Sequence, residues 1–508
     1  MLKHIHIAGV AGLLLLTGAG RAEQPGGSAP PAAKPASRQA AARILVDSIH
    51  AHNALRPAGE LEACNYHYVY GFRRAFDWLG RCGLEYDEVT TGRLDAARLR
   101  RYRLVFINLV SADLPPFMTG EIAALRDYVW HGGSLLVITD HSNCYYHAYK
   151  LAPLLEQLGI ESPVETACDR PPHTLGPGNG WIAITRFAPH PVTAGLRCIA
   201  FQSGGVVDAR YAVASTSPAS WGDRWQVNPY GEGNAPGFYG NWEQDPGERS
   251  GPLGVVLARK FGRGRVVIVG DQNIFGDPFL NYADNYRLFL NTIAWLTGQP
   301  AIADYRAYEQ SRSPRLLLYE DYTRAAFGNS SAAGYNNVFA AIGRALPAFA
   351  RDELTAPCDL MVFAHDNYPL APDALEAVTR HLRAGRSVVF LNPGAPDPAG
   401  SGAGQEAQAP GNATGSKPAE AGAPTTAPGS VQGETNVTAR LMRRLGAAET
   451  VSTHPSRVYR WPGTGRMILL SGGDIFLNRA FPTPETRLNT AEQLCTSNLV
   501  QELRAATR

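Results

Sequence analysis

Short aliphatic runs alternate with stretches of helical periodicity along most of the chain, the pattern of parallel α/β units. Residues 44–47, 104–107 and 134–138 are apolar at nearly every position, as strands covered on both faces must be. Between them, Phe72, Phe76 and Leu79 share one helical face in 70–79. Ile122, Leu125 and Val129 do the same in 121–130, with Thr119 expected as N-cap and Gly132-Gly133 as terminator. Farther on, apolar runs at 253–258 and 266–269 flank a Gly262-Arg263-Gly264 turn and read as a hairpin, and a helix over 285–296 should end near Gly298.

The same order then recurs. Residues 315–320 echo 43–47, 360–363 echo 104–106, and 384–391 echo 132–138. Gly465-Arg466, an aliphatic run and then Ile475-Phe476 echo Gly264-Arg265, its run and Ile274-Phe275. These landmarks predict two tandem α/β domains, at 43–300 and 310–508, the second smaller. Residues 395–434 hold almost no aliphatic side chain larger than Ala, so the reading there is a disordered insertion. The Pro/Ala-rich stretch 23–42 reads as a linker.

At the N-terminus, Lys3, an apolar stretch at 7–17 and the small-residue site Gly20-Arg21-Ala22 have the form of a secretory signal peptide over 1–22. A periplasmic or secreted protein is expected. No later segment approaches 18 uninterrupted apolar residues, so no membrane span is expected after signal cleavage. The 508 residues carry 47 basic and 45 acidic side chains, a net charge of +2, and that balance offers no field for nucleic acid or anionic lipid. The seven Cys are too sparse for a disulfide scaffold and odd in number, and no C-x-x-C pair suggests a zinc ribbon or a redox motif.

Chemistry is expected just beyond the strand ends, because open parallel sheets bind ligands outside the carboxyl ends of their strands. There the first copy offers His50, His52 and Asn53, then Asn108, then Asp140, His141, Asn143 and Cys144, and finally Asp271 and Asn273. His50 and His52 are candidate ligands for a divalent metal, although two His at this spacing also commonly flank a strand end. No other cofactor is indicated. Asp140 and His141 are candidate acid/base residues, with an Asx turn or ligand hydrogen bonding as the plainer use. Cys144 reads as a disulfide partner of Cys168 or an idle thiol, and as a nucleophile only if His141 or His147 activates it. Tyr145, Tyr146, Trp181 and the 221–242 stretch with Trp221, Trp225 and Trp242 supply aromatic faces among Gly, Asn and Asp, a composition suited to sugar rings or to packing an insertion. The second copy shows Glu320, His365-Asp366, Asn392 and Asp474 at its rim but lacks the paired His, so it reads as scaffold or a degenerate site. No Gly-x-Gly-x-x-Gly, Walker loop or Gly-x-Ser-x-Gly elbow is present.

The opening strand through Asn53, the helix running to Gly132-Gly133, the strand leading into Asp140-His141-Ser142-Asn143, and Gly264 to Asp271 followed by Asp284-Asn285 together resemble the class I glutamine amidotransferase-like superfamily. The likeness is to its non-catalytic branch, typified by gliding-motility and intraflagellar-transport proteins. The resemblance covers about 43–298, with a fainter echo over 314–504, and implies two flavodoxin-like domains. It also implies loss of glutaminase activity, since members with that activity carry a glycine-flanked Cys where this chain has Asp140, and Cys144 comes a few residues later.

Three functional expectations follow. The first is an exported protein without glutaminase activity that binds a ligand, an envelope glycan or other small polar molecule, at the first rim, with Trp221 and Trp225 contributing. The second is a hydrolase, metal-assisted if His50 and His52 hold an ion, using Asp140, His141 and Asp271. The third is a scaffold for envelope protein partners.

Overall fold

The computed structural model describes residues 42–508 apart from 53–54, 56–70, 177, 225–239, 278, 312–314, 355–356, 369, 394–435, 447, 453–456, 462, 471–498, 502 and 508. The expected signal peptide, the linker and the 395–434 insertion therefore lie outside the described residues, as do Asn53, Trp225 and Asp474. Among the described residues, no helix is long and apolar enough to cross a membrane.

The chain folds as α/β around two large mixed sheets. Strands β1 (Arg43–Asp47), β2 (Glu85–Val89), β3 (Leu104–Asn108) and β4 (Ser134–Ile138) lie side by side in the order β2-β1-β3-β4 and are parallel. The Gly264–Val269 strand continues the sheet parallel to β4. Beyond it come Gly254–Phe261, Ala212–Ser215 and Arg186–Phe187, each antiparallel to its neighbour.

Alternation along the strands sorts their side chains onto two buried faces. Ile44, Val46, Phe106, Leu136 and Val267 pack with Phe72, Phe76 and Leu79 of the Arg73–Arg81 helix and with Leu288, Phe289 and Ile293 of the Asn285–Thr297 helix. Leu45, Val105, Leu135 and Val266 pack instead with Leu125 and Val129 of Thr119–Trp130 and Leu151 and Leu154 of His147–Gln157. Helices on both faces explain why β1, β3 and β4 are apolar at every position but their ends.

The second sheet has the order Ala348–Arg351, Leu316–Tyr319, Leu360–Phe363, Ser387–Phe390, Arg466–Leu469, Arg457–Arg460, Glu449–Ser452. Its first five strands are parallel and its last two antiparallel. Position for position, this repeats the order and direction of the first seven strands of the first sheet. The strands of the four sequence echoes occupy equivalent places, and Ile475-Phe476 of the fourth lie outside the described residues.

Some local expectations are corrected. Thr119 is the first helical residue, not the N-cap. Met118 holds that position, and its N–H donates to the Glu121 carboxylate at 2.9 Å, which supplies the cap. Cys82, Cys144, Cys168, Cys198 and Cys358 are all free thiols, so the Cys144–Cys168 bridge does not form.

Candidate functional site

Because β1, β3, β4 and Gly264–Val269 are adjacent and parallel, their carboxyl ends share one edge of the sheet, and Asp47, Asn108, Asp140 and Asp271 follow one another along it. The strand order reverses at β1, between β2 and β3, where a crevice would open. Backbone pairing closes it: Ala51 bridges Val110, and the His52 N–H donates to the Asn108 carbonyl at 2.9 Å. His52 and Asn108 thus meet, and the His52 ring stands edge-on to Tyr145 at 5.1 Å. Burial holds the His52 pKa down at about 4, against a smaller opposing effect of Asp113.

His50 is committed elsewhere. Its Nδ1 faces the Asp47 carboxylate at 3.0 Å, its Nε2 faces Glu121 at 3.4 Å, and its ring stacks on Phe117 at 4.2 Å. Both ring nitrogens therefore point at carboxylates, and the side chain ties the end of β1 to the start of the Thr119–Trp130 helix. The partners of the His50 ring nitrogens are thus Asp47 and Glu121, and not an ion shared with His52. Glu121, the partner that fixes His50, also accepts the Leu94 N–H at 2.9 Å. Sequence reading had seen it only as a helical residue.

The polar centre lies two strands over from the β1–β3 gap, between β4 and Gly264–Val269. Asp271 Oδ2 accepts the Gln202 N–H at 2.7 Å and Oδ1 accepts the Asn273 N–H at 2.7 Å, while Asn273 Nδ2 donates back to the Gln202 carbonyl. Asp140 Oδ1 accepts the His141 N–H at 2.7 Å. Burial, followed by the charge of Asp271, holds the Asp140 carboxyl well above its ordinary range. Burial also raises Asp271, to about 7, against the backbone N–H groups of Gln202, Asn273 and Ile274. Two carboxyls this close and this dry do not both ionise freely.

Glycine makes the close packing possible. A Cβ on Gly205 would sit 2.2 Å from the Asp140 carbonyl oxygen, and one on Gly270 would sit 2.2 Å from the Gly205 carbonyl oxygen. The segment ending in Gly204-Gly205 can thus lie directly over the strand ends. The doublet was the one sequence signal for this covering segment.

The turn after β4 carries Ser142, Tyr145 and Tyr146 at φ of 43°, 52° and 60°, a conformation that costs non-glycine residues energy and is found preferentially at functional sites. Asn143 Oδ1 accepts the N–H groups of Ala148 and Tyr149, pinning the turn to the helix behind it. Within the turn, His147 Nδ1 lies 2.9 Å from the Cys144 carbonyl, and Asp140 N–H donates to His147 Nε2 at 3.4 Å. These contacts fix the Nδ1–H tautomer, and burial holds the His147 pKa at about 4, so the ring is neutral. The Cys144 thiol is pushed well above its usual value by burial and then by Asp140 and Asp271. It is no ready nucleophile.

Three buried amide atoms at this rim find no partner among the described residues: Asn108 Oδ1, Asn143 Nδ2 and Gln202 Oε1. Beside them Tyr146 and Tyr149 are 50% and 55% exposed, and Tyr149 is an aromatic that sequence reading passed over. Trp221, expected at a ligand face, is instead 1% exposed. It sits opposite Cys168 in a separate three-stranded sheet, with the Arg170 guanidinium 4.5 Å from its ring centre. Its role there is packing.

The described residues of the second rim make polar contacts of their own. Glu320 accepts the N–H groups of Ala326 and Gly328, and burial raises its carboxyl to about 8. Asp366 accepts from Asn436 and Thr438, and Asn392 Nδ2 donates to the Tyr335 hydroxyl.

A family model described as a domain of unknown function, DUF4350, matches residues 69–293, from the first helix of the first sheet to its closing helix. No curated protein matches the chain. Among solved structures, the mmIFT52 N-terminal domain is similar at 15% identity and a TM-score of 0.36, covering 50% of this chain and 97% of its own. A cytoplasmic protein of Salmonella typhimurium LT2 is similar at 12% identity and a TM-score of 0.30, covering 50% and 99%. A thua-like protein from Bacteroides uniformis is similar at 14% identity and a TM-score of 0.30, covering 52% and 95%.

Proposed function

We propose that the chain is an exported tandem of two flavodoxin-like, amidotransferase-like units without glutaminase activity, and that it binds a polyhydroxylated ligand, an envelope glycan, at the strand-end rim of the first unit. The observation that carries this reading is the set of buried amide atoms of Asn108, Asn143 and Gln202 that lack partners among the described residues, on the rim that holds the Asp140–Asp271 pair. Each unpaired buried polar atom costs about 1–3 kcal/mol, which ligand hydroxyls, acting as donors and acceptors at once, would recover. Exposed Tyr146 and Tyr149 offer faces for the apolar side of a sugar ring. The buried, protonated Cys144 and the Asp at the turn position argue against amide hydrolysis of glutamine.

The test is calorimetric titration of the full chain with fragments of envelope polysaccharide. Binding should weaken at least tenfold in Tyr149→Ala and Asn108→Ala, and Trp221→Phe should bind as the wild type does. Absence of binding to every fragment refutes the reading.

A hydrolytic role for the same rim is favoured by one further observation. Burial pushes the Asp271 carboxyl up to about 7 beside a second carboxyl that is raised as well, the arrangement that lets one group of a pair act as general acid and the other as base. In that case Asp271→Asn abolishes turnover of a bound fragment while leaving its affinity within a few fold.

A further inference from the structure

The turn after β4 brings together three unlike donors. A carboxylate oxygen of Asp140, a ring nitrogen of His141 and the sulfur of Cys144 all lie within 4.8 Å of one another, and the three residues are buried. All come from one five-residue segment that is held from two sides. Asn143 anchors it to the His147–Gln157 helix, and His147 spans it, with Nδ1 on the Cys144 carbonyl and Nε2 on the Asp140 N–H. Behind it, Gly205 presses its backbone against the Asp140 carbonyl. The donors therefore sit on a braced turn and not on a free loop.

A tetrahedral ion with bonds of about 2.0–2.3 Å requires its ligand atoms to be about 3.3–3.8 Å apart. Side-chain rotation within a segment of this size can close the remaining gap. Sulfur and imidazole with a single carboxylate is a donor set for zinc-class ions, whereas calcium and magnesium take oxygen cages. Three protein ligands leave a fourth position open, which is how catalytic zinc sites differ from structural ones. Asp271, at the end of the adjacent strand, lies near enough for its charge to act on both Asp140 and Cys144.

We propose that Asp140, His141 and Cys144 form a binding site for a zinc-class divalent ion at the first rim. On binding, the ion displaces the thiol proton at Cys144 Sγ and the proton that burial keeps on the Asp140 carboxyl, and both leave to solvent. His147 is then a positioning residue, holding the backbone of two ligands without touching the ion. The site is distinct from the His50 and His52 pair that the sequence suggests. It shares its rim with the ligand reading above, and its test uses the metal ion alone, so either can fail without the other.

The experiment is to strip the full chain with a chelator, dialyse it against Co²⁺ or Zn²⁺, and measure bound metal by elemental analysis and the Co²⁺ form by absorption. One ion per chain is expected, with a sulfur-to-cobalt charge-transfer band in the near ultraviolet. The band should vanish in Cys144→Ser and persist in Cys82→Ser, and His141→Ala should weaken binding at least tenfold. Should Cys144→Ser fail to fold, wild-type protein in partial denaturant serves instead: Zn²⁺ must slow alkylation of Cys144 at least tenfold. Substoichiometric metal, a band that survives Cys144→Ser, or unprotected Cys144 overturns the proposal.

Discussion

Replacing Asp271 by Asn should flatten the dependence of stability on pH. In an unfolded chain an Asp carboxyl ionises near 3.9. In the fold, burial keeps the proton on Asp271 up to about 7, outweighing the backbone N–H groups that favour the charged form. Between those values the native state holds a proton that the unfolded state has lost, so stability falls as pH rises, by about 1.36 kcal/mol per pH unit for one group. Across roughly three units the contribution is on the order of 4 kcal/mol, fully present below about pH 4 and lost above about pH 7. Asp140, raised in the same direction by burial and then by Asp271, adds to the fall and loses part of that push when Asp271 is neutralised. Asn resembles the protonated acid but offers one oxygen where Asp271 uses two, for Gln202 and Asn273. Asp271→Asn should therefore cost about 1–3 kcal/mol at pH 5 and progressively less toward pH 8. Urea unfolding of both proteins at four pH values, followed by circular dichroism, reads the difference, because Asp271 and its push on Asp140 are what changes between them. Parallel profiles from pH 4 to 8 would refute the account of the buried pair.

Other consequences are equally concrete. Gly205→Ala should destabilise the fold by about 2 kcal/mol or more and speed proteolysis within 165–206, because its Cβ meets the Asp140 backbone. Gly80→Ala, in an exposed helical position with nothing within 4 Å, should instead add about 0.5–1 kcal/mol to unfolding stability in urea. Native alkylation followed by peptide mass mapping should leave Cys144 unmodified, since it is buried and its thiol is held protonated. The His147 ring resonances should not shift between about pH 5.5 and 8, given a pKa held at about 4 by burial.

The helices and inner strands were legible because burial on one or both faces leaves a periodic mark, as at Ile122, Leu125 and Val129. The Glu85–Val89 strand was not, since as an edge strand with no fully buried residue it is written Glu-Tyr-Asp-Glu-Val. The His147–Gln157 helix was hidden by Pro153 within it and by the tyrosine pair ahead of it. At the site, Asp140 and Asp271 were found by the rule of strand ends, which needs only topology. What sequence could not supply was the company each side chain keeps. Glu121 claims His50 from a helix that merely passes the strand, Arg170 claims Trp221, and the covering segment reaches Asp271 through the backbone of Gln202. Such pairings depend on three-dimensional register and leave no local pattern.

The chain between the two sheets looks divisible in sequence, near residue 300, but its backbone is not. Asn281 and Ala283 exchange hydrogen bonds with Ala350, so a segment ahead of the Asn285–Thr297 helix lies along the outer side of Ala348–Arg351, the edge of the second sheet. Arg351 reaches back to Glu309 at 2.9 Å and packs its guanidinium over Tyr286. A fragment beginning at 310 would bare that edge as a template for unwanted strand pairing and leave a buried cation without its tyrosine. The second half is thus expected to aggregate when produced alone, and the smallest useful fragment for studying it must begin before Asn281.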